Sequence, residues 1–159
     1  MAEAGRETIA SQESIEALEA AFVRLLPLVR EQLRALAERV HPEMRAAGMQ
    51  VLRVALRAHR HGEGPVSVGD IITQTAQDKS VVSRQIRQLV EWRLVTTRRA
   101  EQDRRVILVE PTPLALERAA AARRSVRMLN NRILATWPEA DVLELSRLID
   151  RLVTDRTEA

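Results

Sequence analysis

Between Ser67 and Glu110 the order of residue types leaves few folds open. Ile71, Ile72 and Ala76 predict a short helix from Val68 to about Gln77, with those three side chains inward. Ser67 stands three residues before Asp70, the spacing of a capping box with Ser67 as N-cap. Asp78 is placed to cap a second helix, Lys79 to Glu91. There Val82, Ile86, Leu89 and Val90 share one face, and Ser80, Ser83, Arg84 and Arg87 share the opposite one. Leu94 to Arg99 and Arg105 to Glu110 then have strand composition and flank a polar turn carrying Asp103-Arg104-Arg105. A helix that buries one apolar face and presents short donors and arginines, beside a basic hairpin, suits the two grooves of duplex DNA.

The flanking sequence is helical. From Ile15, apolar residues recur at Leu18, Phe22, Leu25, Val29 and Leu36, close to a heptad, which predicts a long first helix. Pro27 lies inside it, where a kink is expected, and His41-Pro42 marks its end. A second helix is expected within Pro42 to His61, with Val51, Leu52, Ala55 and Leu56 inward and Gly48 near its start. His61 to Pro65 reads as a loop, and Val66 as a one-residue strand. Thr112 is expected to cap a long helix with Pro113 at its first position, running to about Trp137 before Pro138 breaks it. Ala122, Val126, Leu129 and Ile133 form its seam. Val142, Leu145, Ile149 and Leu152 repeat that seam in a last helix, about Glu139 to Asp155. Such seams need a partner, since a lone amphipathic helix is marginal in water.

Charge is better read by position than by total. The pI near 10.7 reflects a net charge of only +3 in a chain with no Tyr and no Cys, so little titrates below arginine. Residues 79–105, however, carry eight basic and three acidic side chains, while residues 1–20 carry five acids against Arg6. A local excess of this kind is what contact with phosphates requires. The absence of cysteine removes disulfides and thiol chemistry. The N-terminus lacks the apolar run of a signal peptide, and no apolar stretch is long enough for a bilayer, so a cytoplasmic protein without a membrane partner is expected. No phosphate loop or catalytic arrangement of Ser or carboxylate is present, so no catalytic residue and no cofactor is expected. With one Phe, two Trp and no Tyr, stacking of single-stranded bases is disfavoured. His41, His59, His61 and Glu63 lack metal-ligand spacing and are expected to be ordinary surface residues, so no metal site is assigned.

The run DKSVVSRQIRQLVEWRLVTTRRAEQDRRVILVEPTP resembles the winged helix-turn-helix of the MarR family of bacterial transcriptional regulators. The resemblance rests on Ser80 to Arg84, Leu89 with Leu94-Val95, Asp103 to Arg105, and Thr112-Pro113. That motif covers about a quarter of the chain, and the flanking helices extend it more weakly. Three positions depart from the family pattern. Arg93 stands where Gly is usual, and Pro111 and Ala115 stand where Leu and Gly are usual. The resemblance implies a mainly α fold with a small β-hairpin wing, a winged helix-turn-helix flanked by N- and C-terminal dimerisation helices. One domain, 1–159, would hold a DNA-binding lobe at 44–111, with dimerisation helices at 13–41 and 112–156.

The expected function is a homodimeric, sequence-specific regulator of double-stranded DNA, acting as a ligand-responsive repressor on a pseudo-palindromic operator. Its expected contacts are Lys79, Ser80, Val81, Ser83, Arg84 and Arg87 on the recognition helix, with Arg104 and Arg105 on the wing. By the resemblance, Arg105 enters the minor groove and Asp103 holds that arginine by a charge-assisted bond. A small aromatic effector would by the same resemblance sit near His41, Met44 and Met49. The alternative is a winged-helix protein-interaction module without DNA binding. Such a module has no need of basic residues at both the second helix and the hairpin tip.

Overall fold

The computed structural model describes residues 11–158, and the first ten residues, which include two of the acids counted above, lie outside it. Six helices and three short strands follow in the order α1 (Gln12–Val40), α2 (Ala46–His61), β1 (Val66–Ser67), α3 (Val68–Thr75), α4 (Lys79–Glu91), β2 (Val95–Arg99), β3 (Ile107–Pro111), α5 (Pro113–Leu134) and α6 (Glu139–Glu158). The chain groups into two compact units that divide after Ala119, within α5. No described helix is long and apolar enough to cross a membrane.

The first unit holds the sheet and α1 to α4. Its strands are antiparallel in the order β1-β3-β2, with Thr97 opposite Val109 and Val66 on the other side of Val109. The sequence predicts a two-stranded ribbon and, separately, a one-residue strand at Val66. Val66 and Ser67 in fact pair with β3 as a third strand. The core is supplied by Val51, Leu52, Ala55 and Leu56 of α2, Ile71 of α3, Val82, Ile86 and Leu89 of α4, and Leu94, Val95 and Val109 around the sheet. Each of the larger side chains contributes about 1.5–3 kcal/mol by leaving water, so burial of one face of α4 fixes which face is left outward.

The helix ends follow local chemistry. Ser67 Oγ accepts from the Asp70 N–H at 3.0 Å and donates to Asp70 Oδ2 at 2.7 Å. The cap is present, although Asp70 answers the Ser67 hydroxyl and not a backbone N–H. Asp78 occupies the N-cap position of α4 without a side-chain cap bond. Thr112 Oγ1 accepts from the Ala115 N–H at 3.2 Å and donates to the Arg93 carbonyl at 2.7 Å, tying the start of α5 to the end of α4. Arg118 Nη1 reaches the Val40 carbonyl at 3.1 Å and satisfies the open end of α1. Helix α1 continues through Pro27.

Three expectations are corrected. Ala76 does not face inward. It is the C-cap of α3 at φ 51, exposed, because the chain must turn there to launch α4. Val90 is also outward, 41% exposed, since it lies one residue past Leu89 on the helix and rotates off the buried stripe. Helix α5 ends at Leu134, not Trp137; the Trp137 N–H bonds back to the Leu134 carbonyl in a turn ahead of Pro138.

The terminal helices leave apolar seams open. On α1, Leu18, Leu25, Leu26, Val29 and Leu33 are exposed; only its last turns, with Ala37 and Val40, are buried. In the second unit Leu129, Ile133, Leu145 and Ile149 are likewise exposed.

Candidate nucleic-acid interface

Helix α4 forms because Lys79 to Glu91 contains no glycine or proline and places its three buried residues at intervals of four and three. That anchoring turns Ser80, Arg84 and Arg87 to solvent, with Val81 and Ser83 half-buried at the edge. Among the described residues, the side chains of Lys79, Arg84 and Arg87 have no hydrogen-bond or ion-pair partner. The paired arginines lie elsewhere: Arg34 with Glu31 and Glu38, Arg147 with Glu144, and Arg151 with Asp155. The Arg34 hydrogen bond holds the Glu31 carboxyl below its usual range, and Arg147 does the same to Glu144. The α4 cations have no such carboxylate to satisfy them.

The helix ends in a Schellman arrangement. The Arg93 N–H bonds to the Val90 carbonyl at 2.9 Å, and the Leu94 N–H to the Leu89 carbonyl at 2.8 Å. This places Arg93 at φ 57, in the left-handed region. Leu94 and Leu89 are both fully buried, which supplies the apolar contact that accompanies such an end. The backbone therefore keeps the turn even though the residue is not glycine. Trp92, the C-cap of α4, stacks on His41, the C-cap of α1, with ring centroids 4.1 Å apart. The end of the outward-facing helix is held to the end of α1 by that pair.

The wing is built as a bonded turn. The Ala100 N–H donates to the Val106 carbonyl at 2.9 Å, and the Val106 N–H to the Asp103 carbonyl at 3.0 Å. Arg99 Nη1 donates to the Arg104 carbonyl at 2.9 Å. Asp103 Oδ1 accepts from the backbone N–H of Arg105 at 2.9 Å. This differs from the expected guanidinium bond: a side chain two residues away reaches the peptide N–H more readily than the end of a long arginine. Asp103 thus fixes the backbone from which Arg105 projects, and the Arg105 guanidinium is left without a partner among the described residues.

A single groove of about 810 Å³ joins the two elements. Lys79, Ser83 and Arg87 of α4 and Arg105 of the wing line it together. Ser80, Val81, Arg84 and Arg104 are not part of its lining. Sequence reasoning did not foresee its apolar share, which includes Ile72, Ile86, Val90 and Ile107. Ile107 pairs with Arg99 at one end of β3, one residue beyond the stretch that β1 covers.

The other expected site residues lie apart. Met44 is fully buried and Met49 nearly so, both in the core, while His41 is half-buried against Trp92. Packing of the two thioethers into the core takes them away from a solvent-open cleft. No cluster of three potential metal ligands occurs among the described residues.

A three-stranded wing, a helix pair and an outward basic helix define a winged helix-turn-helix protein. Residues 51–106 match the model of the MarR family. The fold over nearly the whole chain is similar to solved structures at low identity. Rv1404 from Mycobacterium tuberculosis is 17% identical with a TM-score of 0.76, covering 92% of this chain and 97% of that one. A MarR family protein from Bacillus stearothermophilus is 14% identical with a TM-score of 0.72, covering 94% and 99%. A mutant MarR from E. coli complexed with operator DNA is 20% identical with a TM-score of 0.61, covering 83% and 93%. No curated protein sequence matches the chain.

Proposed function

We propose that this protein binds double-stranded DNA as a homodimer and represses transcription from a pseudo-palindromic operator. The observation that carries this reading is the groove shared by Arg87 and Arg105, two unpaired cations from separate elements facing one space. In the complex, α4 lies in the major groove. Ser80 and Ser83 donate near its N-terminus, and Arg84 and Arg87 contact base edges or phosphates. Arg105 enters the flanking minor groove, where a guanidinium is favoured by the strong negative potential. The match to a MarR structure complexed with operator DNA supports the same arrangement.

The open seams of α1, α5 and α6 support the homodimer, because a second copy covers apolar faces that the single chain leaves in water. Two-fold symmetry then matches two half-sites about one helical turn, ~10 bp, apart. Responsiveness to a small aromatic effector remains part of this reading, with its site away from Met44 and Met49, which the core occupies. The test is a gel shift with fragments upstream of the protein's own gene, beside sedimentation of the free protein. Saturable, sequence-dependent retardation by a dimer is expected. A dimer that shifts no duplex would instead favour a protein-interaction module.

A further inference from the structure

A second basic surface lies between α2 and α3. Arg53, Arg57 and Arg60 of α2 face Gln74 and Thr75 of α3 across a concavity of about 390 Å³, with Gln50 at one end. None of these residues belongs to α4, the wing or the groove between them.

Its hydrogen-bonding character is one-sided. Gln74 Oε1 accepts from Arg57 Nη2 at 2.6 Å, and Gln50 Oε1 accepts from Gln77 Nε2 at 2.7 Å. The carbonyl oxygens of both glutamines are thereby engaged, and their NH₂ groups remain as donors. Thr75 Oγ1 donates its proton to the Ile71 carbonyl at 2.7 Å. Arg60 Nε bonds the Leu56 carbonyl at 3.3 Å, and among the described residues none of the three arginines has an ion-pair partner. No carboxylate lines this cavity. The Arg57–Gln74 bond also spans the groove and holds one guanidinium in place before anything binds.

Three guanidiniums and two amide donors around one concavity complement a ligand made of clustered anionic acceptors; Glu63 and Asp70 line the adjoining cavity, which shares Arg57 and Gln74, but not this one. Guanidinium meets phosphate oxygens in a bidentate fork, and the volume suits a small molecule. We infer that the α2–α3 groove binds a free small ligand carrying two or more neighbouring phosphate groups. A free ligand fits the concave shape; a duplex would have to be followed by a protruding surface.

The test is calorimetric titration of the full chain with inorganic triphosphate at constant ionic strength. Wild type is expected to take up one equivalent per subunit. The double variant Arg53→Gln/Arg57→Gln is expected to bind about tenfold or more weakly, and Arg84→Ala/Arg105→Ala to bind like wild type. Arg53→Gln alone serves as a folding control, since Arg53 makes no hydrogen bond among the described residues. It should weaken uptake several-fold at unchanged Tm. Lack of saturable uptake by wild type overturns the proposal. So does equal loss in both double variants, which would mark a general basic surface. Duplex binding by the groove variant is measured alongside. If it falls while triphosphate binding by wild type is absent, the phosphates are those of a DNA backbone, and the free-ligand assignment is wrong.

Discussion

Replacing Arg93 by glycine should stabilise this protein, although it removes a long side chain from the end of α4. Arg93 sits at φ 57 because the two bonds that close α4 require it there. A Cβ in that conformation costs roughly 1–2 kcal/mol. Glycine gives back part of that relief by widening the unfolded ensemble, about 0.4–1 kcal/mol. The net gain is about 0.5–1 kcal/mol. Nothing offsets it, since the Arg93 side chain is exposed and has no partner among the described residues. Urea unfolding at fixed protein concentration should show an unchanged m and a midpoint raised by ~0.2–0.5 M. For a chain of this length Tm should rise by about 1–4 °C. Arg93→Val should move both in the opposite direction, because a β-branched residue tolerates positive φ least. A destabilised Arg93→Gly would show that the arginine contributes more than its backbone costs, and the account of how α4 ends would be wrong.

Thr112→Ala should cost about 1–2 kcal/mol, because it removes the α5 cap and the bond to the Arg93 carbonyl together; thermal unfolding checks this. Asp103→Ala should leave the fold intact and weaken duplex binding less than Arg105→Ala, since it frees the Arg105 backbone but removes no cation; fluorescence anisotropy compares the two. Duplex affinity should fall steeply with salt, with a log–log slope of roughly −4 to −8 if four to nine phosphates are neutralised by the dimer. A flat dependence would remove the basic faces from the contact surface.

How much of this was legible depended on the kind of signal. Periodicity located α4 to the residue, because Val82, Ile86 and Leu89 repeat at helical spacing between Asp78 at the N-cap position and a chain reversal. Val90 was misread because composition cannot tell a buried apolar residue from one that borders an exposed groove; only the rotation of the packed helix decides. Ala76 failed for the same reason, with a tight connection overriding its apolar character. The family pattern asked for glycine at position 93, and the backbone supplies glycine's conformation with arginine in place. Asp103 was found by its motif, but its bonding partner was set by reach, which sequence does not encode. The groove between α2 and α3 was invisible, because Arg53 and Gln74 are far apart in the chain and only α2–α3 packing brings them together.

The central claim is that α4 and the wing read DNA through different grooves. A binding selection over randomised duplexes, run with wild type, Arg84→Ala and Arg105→Ala at one salt concentration, separates the two roles. Arg84→Ala is expected to cost roughly 1–3 kcal/mol and to relax preference at one position per half-site. Arg105→Ala is expected to weaken all sites, most of all those with A·T-rich flanks whose minor grooves are narrow. If Arg105→Ala stays dimeric and selects the same sequences with wild-type affinity, the wing does not enter the minor groove, and the two-groove account fails.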